Sequence, residues 1–242
     1  MSFPIEPVPI PAVVTRIAAG RQVYAAWANE IGGLTFQVGD GDCREFVKVA
    51  PPHPDVDLYR EAAKLRWAAT YLTVPVVLNV GRDGAMAWLH TAGLPGRSAV
   101  DPRWIAESLT AVRAIATGLR EMHDRLPVDS CPYSWSVPGR LAALPESARR
   151  GLCEPPPVDK LVVCHGDACA PNTLITDDGQ WCGHVDFGDL GIADRWADLA
   201  VALWSLGYNY EGDWRTEFFD AYRIAPDEDR LDYYLRLWDA GA

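Results

Sequence analysis

The first ninety residues carry an alternation of apolar and polar positions that predicts β-strands. Apolar and aromatic residues recur from Val23 to Val49, and the run is divided by a turn at Gly39 to Asp42. The stretch Leu58 to Tyr71 lacks Gly and Pro and is rich in Ala, Leu, Arg and Lys, which predicts a helix. Two more strands are predicted at Val76 to Val80 and Met86 to Leu89. This order is typical of an antiparallel sheet with one helix.

The pattern changes after a Gly-Leu-Pro-Gly break at residues 93–96. From Pro102 to His123 apolar residues recur every three or four positions, which predicts one long helix. The region from Pro127 to Pro157 is rich in proline and has little periodicity, so we expect a connection with one short helix. Short strands and then helices are predicted beyond it, the strands at 161–163, 173–176 and 183–185 and the helices at 196–206, 217–222 and 229–238. We predict an α+β fold with two domains, residues 1–92 and 93–242.

Composition places the chain among ordinary globular proteins, since 49% of its 242 residues are hydrophobic and 23% are charged. The longest apolar runs are far shorter than the roughly 20 residues of a membrane-spanning helix. Met1 to Pro11 lack the basic and apolar regions of an export signal, so a cytoplasmic location is expected. The six cysteines are too sparse for a disulfide-stapled domain, and Cys164 and Cys169 have no second pair at zinc-site spacing.

The net charge of −11 is unevenly distributed along the chain. Residues 151–242 contain 18 acidic and 6 basic residues, whereas the preceding 150 contain 15 acidic and 16 basic residues. Such a field repels nucleic acids and anionic membranes, so neither a nucleic acid nor a membrane is expected as a partner. The same field raises the local concentration of a molecule that carries several positive charges. On the charge alone, a solvated acidic surface that keeps the protein in solution is the favoured interpretation. The charge alone therefore does not select a function.

Two short motifs in the acidic part carry candidate chemistry. His165-Gly166-Asp167 is followed by Asn172, and Asp186-Phe187-Gly188 comes fourteen residues later. Phosphoryl transfer needs a group that accepts the hydroxyl proton and oxygen ligands for Mg²⁺. Protein kinases place a base Asp five residues before a metal-binding Asn and a second metal-binding Asp in an Asp-Phe-Gly motif. The spacing predicts Asp167 as the catalytic base and Asn172 and Asp186 as metal ligands, although each residue alone would also suit a turn or a strand end.

An upstream lysine completes the set that a kinase needs. Lys48 stands alone in the apolar strand Phe46 to Val49, where a buried ammonium would require a partner. Glu61 is the only acid inside the following predicted helix. We predict that Glu61 holds Lys48 against the α and β phosphates of a nucleotide. By itself Lys48 would also be compatible with a solvated lysine at a strand edge.

Over most of its length the chain resembles the aminoglycoside phosphotransferases, especially the 3'- and 3''-phosphotransferases of kanamycin and streptomycin resistance. Val162 to Asn172 is similar to the catalytic loop of that family, and Gly188 to Ala200 is similar to the segment after its metal-binding motif. Tyr233 to Leu237 resembles its terminal helix. Residues 46–48, 61–67 and 95–96 fall where the family has its phosphate-binding lysine, its helix glutamate and its lobe hinge.

The resemblance implies a two-lobed, protein-kinase-like fold that binds ATP, or GTP as in some relatives, with Mg²⁺. Residues 1–92 would form the nucleotide-binding lobe and residues 93–242 the catalytic and substrate-binding lobe. The loop Asn29 to Leu34 would cover the phosphates. Adenine would meet the backbone of three consecutive residues, Thr91, Ala92 and Gly93. His165, Asp194 and Asp198 would brace the catalytic loop or cap a helix.

Several departures from the family pattern concern the acceptor. Asp189 stands where relatives have Arg after the metal-motif glycine, and Trp204-Ser205 replaces an Arg-Asp pair. Pro127 to Pro157 omits an acidic loop. At the end of the chain Asp239 persists, but Ala240 and Ala242 replace the rest of an acidic and aromatic tail. Asp189 and Asp239 are the candidate substrate-binding residues.

Three functions follow as hypotheses. The first is transfer of the ATP γ-phosphoryl group to a hydroxyl of an aminoglycoside antibiotic or a similar cationic small molecule. The second is a kinase of another antibiotic or of a metabolite, and the third is a nucleotide-binding pseudokinase. We expect a monomer or a homodimer.

Overall fold

The computed structural model describes residues 8–29, 31–54 and 56–241. Residues 1–7, on which part of the expected lack of an export signal rests, lie outside the described residues, as do Glu30, Asp55 and Ala242. The chain forms two compact units, one of Met1–Thr70 with Val74–Leu94 and one of Tyr71–Thr73 with Pro95–Ala242. Among the residues described, no helix combines the length and the apolarity that crossing a membrane requires.

The first unit is built on a five-stranded antiparallel sheet with the strand order β1-β2-β3-β5-β4. Its elements, in chain order, are α1 (Ala12–Ala18), β1 (Val23–Ala28), β2 (Leu34–Val38), β3 (Glu45–Ala50), α2 (Leu58–Ala68), β4 (Val77–Asp83) and β5 (Met86–Ala92). The helix α2 begins at Asp57, whose side chain accepts hydrogen bonds from the amides of Tyr59 and Arg60, each at 3.0 Å. The strands and α2 lie within one or a few residues of the predicted positions.

The helix α1 was not predicted. Its seven residues include four that are β-branched, and no side chain caps its N-terminus. Val13 and Val14 are fully buried in one cluster with Phe36, Val47 and other residues of the sheet. Tertiary packing on the sheet therefore stabilises a segment that has little helical preference of its own.

The second unit combines seven helices with two small sheets, in the part of the chain that the structure describes. Its strands are β6 (Arg97–Ser98), β7 (Leu161–Cys164), β8 (Thr173–Ile175), β9 (Trp181–His184) and β10 (Gly191–Asp194), paired as β6-β8-β9 and as β7-β10. Its helices are α3 (Pro102–Ala106), α4 (Ser108–Arg125), α5 (Val137–Ala143), α6 (Glu146–Arg149), α7 (Trp196–Asn209), α8 (Arg215–Tyr222) and α9 (Glu228–Asp239).

The structure differs from the prediction in three places within this unit. The single helix expected at 102–123 is divided at Glu107, which has φ −108° and ψ 47° and ends α3. The region from Pro127 to Pro157 contains two short helices rather than one. The strand β10 was not predicted, because its four residues lie in a sequence that reads as a turn and a helix start. It pairs with β7 from Gly191 opposite Cys164 to Asp194 opposite Leu161.

Candidate active site

The loop between β7 and β8 holds two of the predicted site residues. Asp167 lies in this loop and is partly buried, and Asn172 ends a 3₁₀ turn, Ala170–Asn172, just before β8. The Asn172 side-chain amide donates to the Asp167 carbonyl oxygen at 2.9 Å and to Asp167 Oδ2 at 3.0 Å. This arrangement fixes the Asp167 carboxylate and leaves the Asn172 side-chain oxygen for another ligand.

Asp186 follows β9 in a second loop, which contacts the loop that holds Asp167 and Asn172. The amide of Val185 donates to the Asn172 carbonyl oxygen at 2.9 Å, which ties the second motif to the first. Asp186 has φ 65°, a left-handed conformation that is uncommon for a residue with a side chain. Backbone strain of this kind concentrates at functional sites.

The environment of Asp167 raises the pKa of its carboxyl group. Burial is the largest cause of the raised pKa, and the negative charges of Asp186 and Asp189 act in the same direction. A hydrogen bond with the Cys169 side chain and the electrostatic effect of His165 lower the pKa, but they do not outweigh burial. Asp167 Oδ1 is buried and makes no hydrogen bond of normal geometry to any described residue. A buried acceptor with no partner at the centre of an acidic cluster is a ready position for a proton or a cation.

His165 connects the two loops through both nitrogens of its ring. Its Nδ1 accepts a hydrogen bond from the Asp167 amide at 3.3 Å, so Nε2 carries the proton and donates to the Val185 carbonyl oxygen at 2.9 Å. The ring is fully buried, and its centroid lies 5.0 Å from that of Phe187. The geometry is that of a brace for the catalytic loop.

Asp198 supports this brace from α7. Its carboxylate is fully buried and accepts hydrogen bonds from the amides of His165 at 2.6 Å and Gly166 at 2.9 Å and from His123 Nε2 at 2.9 Å. Burial would raise the pKa of this carboxyl group, but the hydrogen bond and charge of His123, together with His165 and the Gly166 amide, outweigh it and hold the pKa low. His123 is held in turn by the Tyr222 hydroxyl at 2.7 Å.

Ser205, on α7, also contacts the loop between β7 and β8. It is buried, and its Oγ accepts a hydrogen bond from the Ala170 amide at 2.9 Å. Its neighbour Trp204 points outward and stacks on Tyr208, with ring centroids 5.7 Å apart. Trp204 and Ser205 depart together from the family pattern, but only Ser205 contacts the loop that holds Asp167 and Asn172.

In the first unit Lys48 and Glu61 form the predicted ion pair. Lys48 Nζ lies 3.0 Å from Glu61 Oε2, and the two side chains are 21% and 6% exposed. Thr91 lies opposite Phe46 in the sheet, and the amides of Ala92 and Gly93 donate to other strands or loops, at 2.9 Å to the Val76 carbonyl and 2.8 Å to the Arg44 carbonyl. These two amides are therefore already engaged.

The described residues of the predicted phosphate-covering segment lie between β1 and β2, apart from Leu34, which begins β2. Asn29 Oδ1 accepts a hydrogen bond from the Gly33 amide at 2.6 Å, and Gly32 has φ +81°. Glu30, in the middle of this loop, lies outside the described residues.

Comparison with known proteins identifies the family. The model of the phosphotransferase enzyme family, APH, matches residues 28–234. The chain belongs to this phosphotransferase family. The streptomycin 3''-kinase of Streptomyces griseus is 31% identical over 95% of this chain and 96% of its own length. The predicted resemblance is therefore confirmed.

Solved structures of other phosphotransferases agree. An aminoglycoside-3'-phosphotransferase of type VIII has a TM-score of 0.77 and 28% identity, over 92% of this chain and 94% of that one. APH(3'')-Id from Streptomyces rimosus, solved with ADP and streptomycin, has a TM-score of 0.68 and 27% identity, over 86% and 90%. Together with the sheet of the first unit and the helices of the second, these likenesses confirm the predicted α+β, kinase-like fold.

The two acidic residues expected on the acceptor side of this phosphotransferase occupy different surroundings. Asp189 packs on the catalytic loop, since a Cβ atom at Gly166 would lie 2.4 Å from the Asp189 carbonyl oxygen. Its carboxylate lies 3.6 Å from the guanidinium of Arg140 on α5. Asp239 is exposed at the end of α9. Arg140 and His123 had no distinguishing signal in the sequence, because their partners lie 49 and 75 residues away.

Proposed function

We propose that this phosphotransferase moves the γ-phosphoryl group of ATP to a hydroxyl group of an aminoglycoside or of a similar cationic small molecule. The observation that carries the proposal is the carboxylate of Asp167, fixed by Asn172 beside Asp186 in a chain of the phosphotransferase family. The ADP and streptomycin of the Streptomyces rimosus relative indicate both substrates. The acidic C-terminal part would concentrate a cationic acceptor.

Asp167 is the proposed catalytic base. Its raised pKa increases its affinity for the proton of the acceptor hydroxyl, and the buried, unpartnered Oδ1 is the atom free to receive it. Asn172 holds the other oxygen, so the carboxylate keeps one orientation while the hydroxyl attacks in line with the departing ADP.

Asn172 and Asp186 are the proposed ligands of Mg²⁺. The donor set fits the ion, because Mg²⁺ prefers carboxylate and amide oxygens and shares its coordination with phosphates and water. When bound, Mg²⁺ would neutralise charge on the phosphates of ATP. The charges of Asp186 and Asp189 act on the Asp167 carboxyl group, and this local negative field favours a cation.

Lys48 is proposed to bind the α and β phosphates of ATP. Glu61, almost fully buried, keeps the ammonium in place without covering it completely, since Lys48 retains 21% exposure. Adenine would then use the carbonyl oxygens of the 91–93 segment or the amide of Leu94, because the amides of Ala92 and Gly93 donate within the first unit.

A kinase of a different small molecule is the second candidate. Asp189 in place of Arg and the outward-facing Trp204 beside the loop-holding Ser205 are the observations that favour it. The nucleotide machinery would be the same for either acceptor.

The test is acceptor turnover with Asp167→Ala. Purified enzyme is incubated with ATP, Mg²⁺ and a panel of aminoglycosides, and products are screened by mass spectrometry for a phosphate-sized gain. Loss of a general base lowers the rate by about 10²- to 10⁴-fold, while ATP binding persists. The matched control is Asp220→Ala, which removes an exposed carboxylate from α8. Turnover of Asp167→Ala equal to that of the control would remove Asp167 from the role. Absence of product from every aminoglycoside in the native protein would leave the second candidate.

A further inference from the structure

Arg140 reaches the neighbourhood of the catalytic loop from the proline-rich region. The Ile192 amide donates to the Tyr133 carbonyl oxygen and the Trp135 amide donates to the Ile192 carbonyl oxygen, each at 3.0 Å. These bonds attach the segment before α5 to β10, directly after the second motif. Ser136 begins α5 by accepting from the Gly139 amide at 3.3 Å. The segment is therefore anchored beside the site.

Within this segment the Arg140 side chain is held in a defined direction. Its guanidinium lies 4.6 Å from the centre of the Trp135 ring, a cation–π distance. Its Nη1 lies 3.6 Å from Asp189 Oδ1, and the two side chains are 26% and 54% exposed. At 3.6 Å the contact is an ion pair rather than a hydrogen bond, so another cation could replace it.

Asp189 lies next to the proposed base. Gly166, with φ +87°, immediately precedes Asp167, and the Asp189 backbone packs so closely on it that a Cβ atom would be 2.4 Å from the Asp189 carbonyl oxygen. The charge of Asp189 also acts on the Asp167 carboxyl group, so a hydroxyl group that reaches Asp167 brings its neighbouring substituents into the same negative field. In a cationic acceptor those substituents include ammonium groups.

We propose that Arg140 determines acceptor specificity by competing with an ammonium group of the acceptor for the Asp189 carboxylate. The inference rests on the proposed function and adds a residue to it. Position 189 carries an acid instead of the arginine expected from the family resemblance, and Arg140 from another element lies beside this acid. The Asp189–Arg140 pair disfavours acceptors with a cation beside the transferred hydroxyl and favours acceptors that are neutral there.

Binding of a defined cationic probe tests the competition without requiring turnover. Kanamycin and its fully N-acetylated form, one cationic and one neutral on the same hydroxylated scaffold, are titrated calorimetrically into enzyme containing Mg²⁺ and ADP. Arg140→Gln should tighten kanamycin binding by roughly two- to fivefold, the range expected for releasing an exposed ion pair. Binding of the N-acetylated form should not change.

Matched variants isolate the effect. Arg150→Gln removes the same charge just after the neighbouring helix α6, where Arg150 pairs with Glu146, and should leave both affinities unchanged. Arg140→Lys should restore wild-type affinity. Adding Asp189→Asn to Arg140→Gln should abolish the gain, because the freed carboxylate is then absent. Thermal unfolding of each variant confirms that the fold is retained.

The outcomes separate the inference from the proposed function. The competition is overturned if kanamycin binding also tightens with Arg150→Gln, or if the gain persists without the Asp189 carboxylate. It is likewise overturned if the N-acetylated form also binds more tightly, or if no variant binds kanamycin. Kanamycin binding that depends on Arg140 without phosphorylated kanamycin, measured in parallel with ATP, supports the competition and refutes kanamycin as a phosphorylated acceptor.

Discussion

Replacing Asp198 by Asn should destabilise the protein and displace the proposed base together. The carboxylate is fully buried and accepts three hydrogen bonds, from His165 N, Gly166 N and His123 Nε2, at 2.6 to 2.9 Å. The best placement of the Asn oxygen keeps two of these bonds. The new NH₂ group then faces the Gly166 amide, donor against donor.

The expected cost has two parts. A lost hydrogen bond to a charged group contributes about 1.5–3 kcal/mol, and the stranded buried Gly166 amide adds about 1–3 kcal/mol. Because these contributions overlap, we expect a decrease of about 3–5 kcal/mol in the free energy of unfolding, a large share of the roughly 5–15 kcal/mol of a typical domain.

Urea unfolding followed by tryptophan fluorescence measures this decrease. Asp220→Asn, the same chemical change at an exposed position of α8, should stay within about 0.5 kcal/mol of the native protein. The variant at Asp198 should also lose phosphoryl-transfer rate, because His165 and Gly166 directly precede Asp167. A loss of stability below about 1 kcal/mol, or an unchanged rate, would refute the view that Asp198 holds the loop.

The same substitution has a pH signature of defined sign. The pKa of Asp198 in the folded protein lies below its ordinary value of 3.8, so its contribution is complete above that value and is lost as the pH falls through the lowered folded pKa. The stability difference between the native protein and Asp198→Asn should therefore be constant near neutral pH and shrink below about pH 4. A difference that grew on acidification would contradict the lowered pKa.

Three further substitutions have expected outcomes. Ser205→Ala strands the buried Ala170 amide and should lower the free energy of unfolding by about 1–3 kcal/mol in urea titrations, whereas no change would mean the amide finds another partner. Gly166→Ala places a Cβ atom 2.4 Å from the Asp189 carbonyl oxygen at a residue with φ +87°. It should reduce kcat at least tenfold (about 1.4 kcal/mol) in steady-state assays, and an unchanged kcat would contradict this expectation. Lys48→Met should raise the KM for ATP about tenfold to a hundredfold, since a hydrogen bond to a charged group contributes about 1.5–3 kcal/mol, and an unchanged KM would argue against phosphate binding.

The features of the fold that could be predicted are those with a local signal. Lys48 and Glu61 were predictable as a pair because each is the single charge of its sign in a short, periodic element. Their 3.0 Å contact confirms that geometry. The helix α1 was not predictable in this way, since its β-branched residues prefer strands and only burial of Val13 and Val14 against the sheet makes it helical.

In the site, too, contacts within one loop could be predicted from the sequence and contacts between distant elements could not. Asp167 and Asn172 are five residues apart, and the bond between them follows from one loop, so their placement could be predicted from spacing. Asp198 was predicted to brace that loop or cap a helix, but its partner His123 comes from α4, and nothing in the apolar pattern of that helix distinguishes the histidine from a core residue. Spacing along the chain reports contacts within a loop and says little about contacts between distant elements.

This distinction explains why the acceptor is harder to predict than the reaction. The proposed phosphoryl transfer depends on Asp167, Asn172 and Asp186, which occupy two loops. The Val185 amide donates to the Asn172 carbonyl oxygen and His165 Nε2 donates to the Val185 carbonyl oxygen, and these hydrogen bonds join the two loops. The acceptor meets charges that distant segments supply. Arg140 lies 49 residues before Asp189, in a region whose sequence indicates only a connection, yet their charges lie 3.6 Å apart. Under the proposed competition, this one guanidinium, brought there by chain folding, changes the local charge beside the proposed base and thereby selects the class of acceptor.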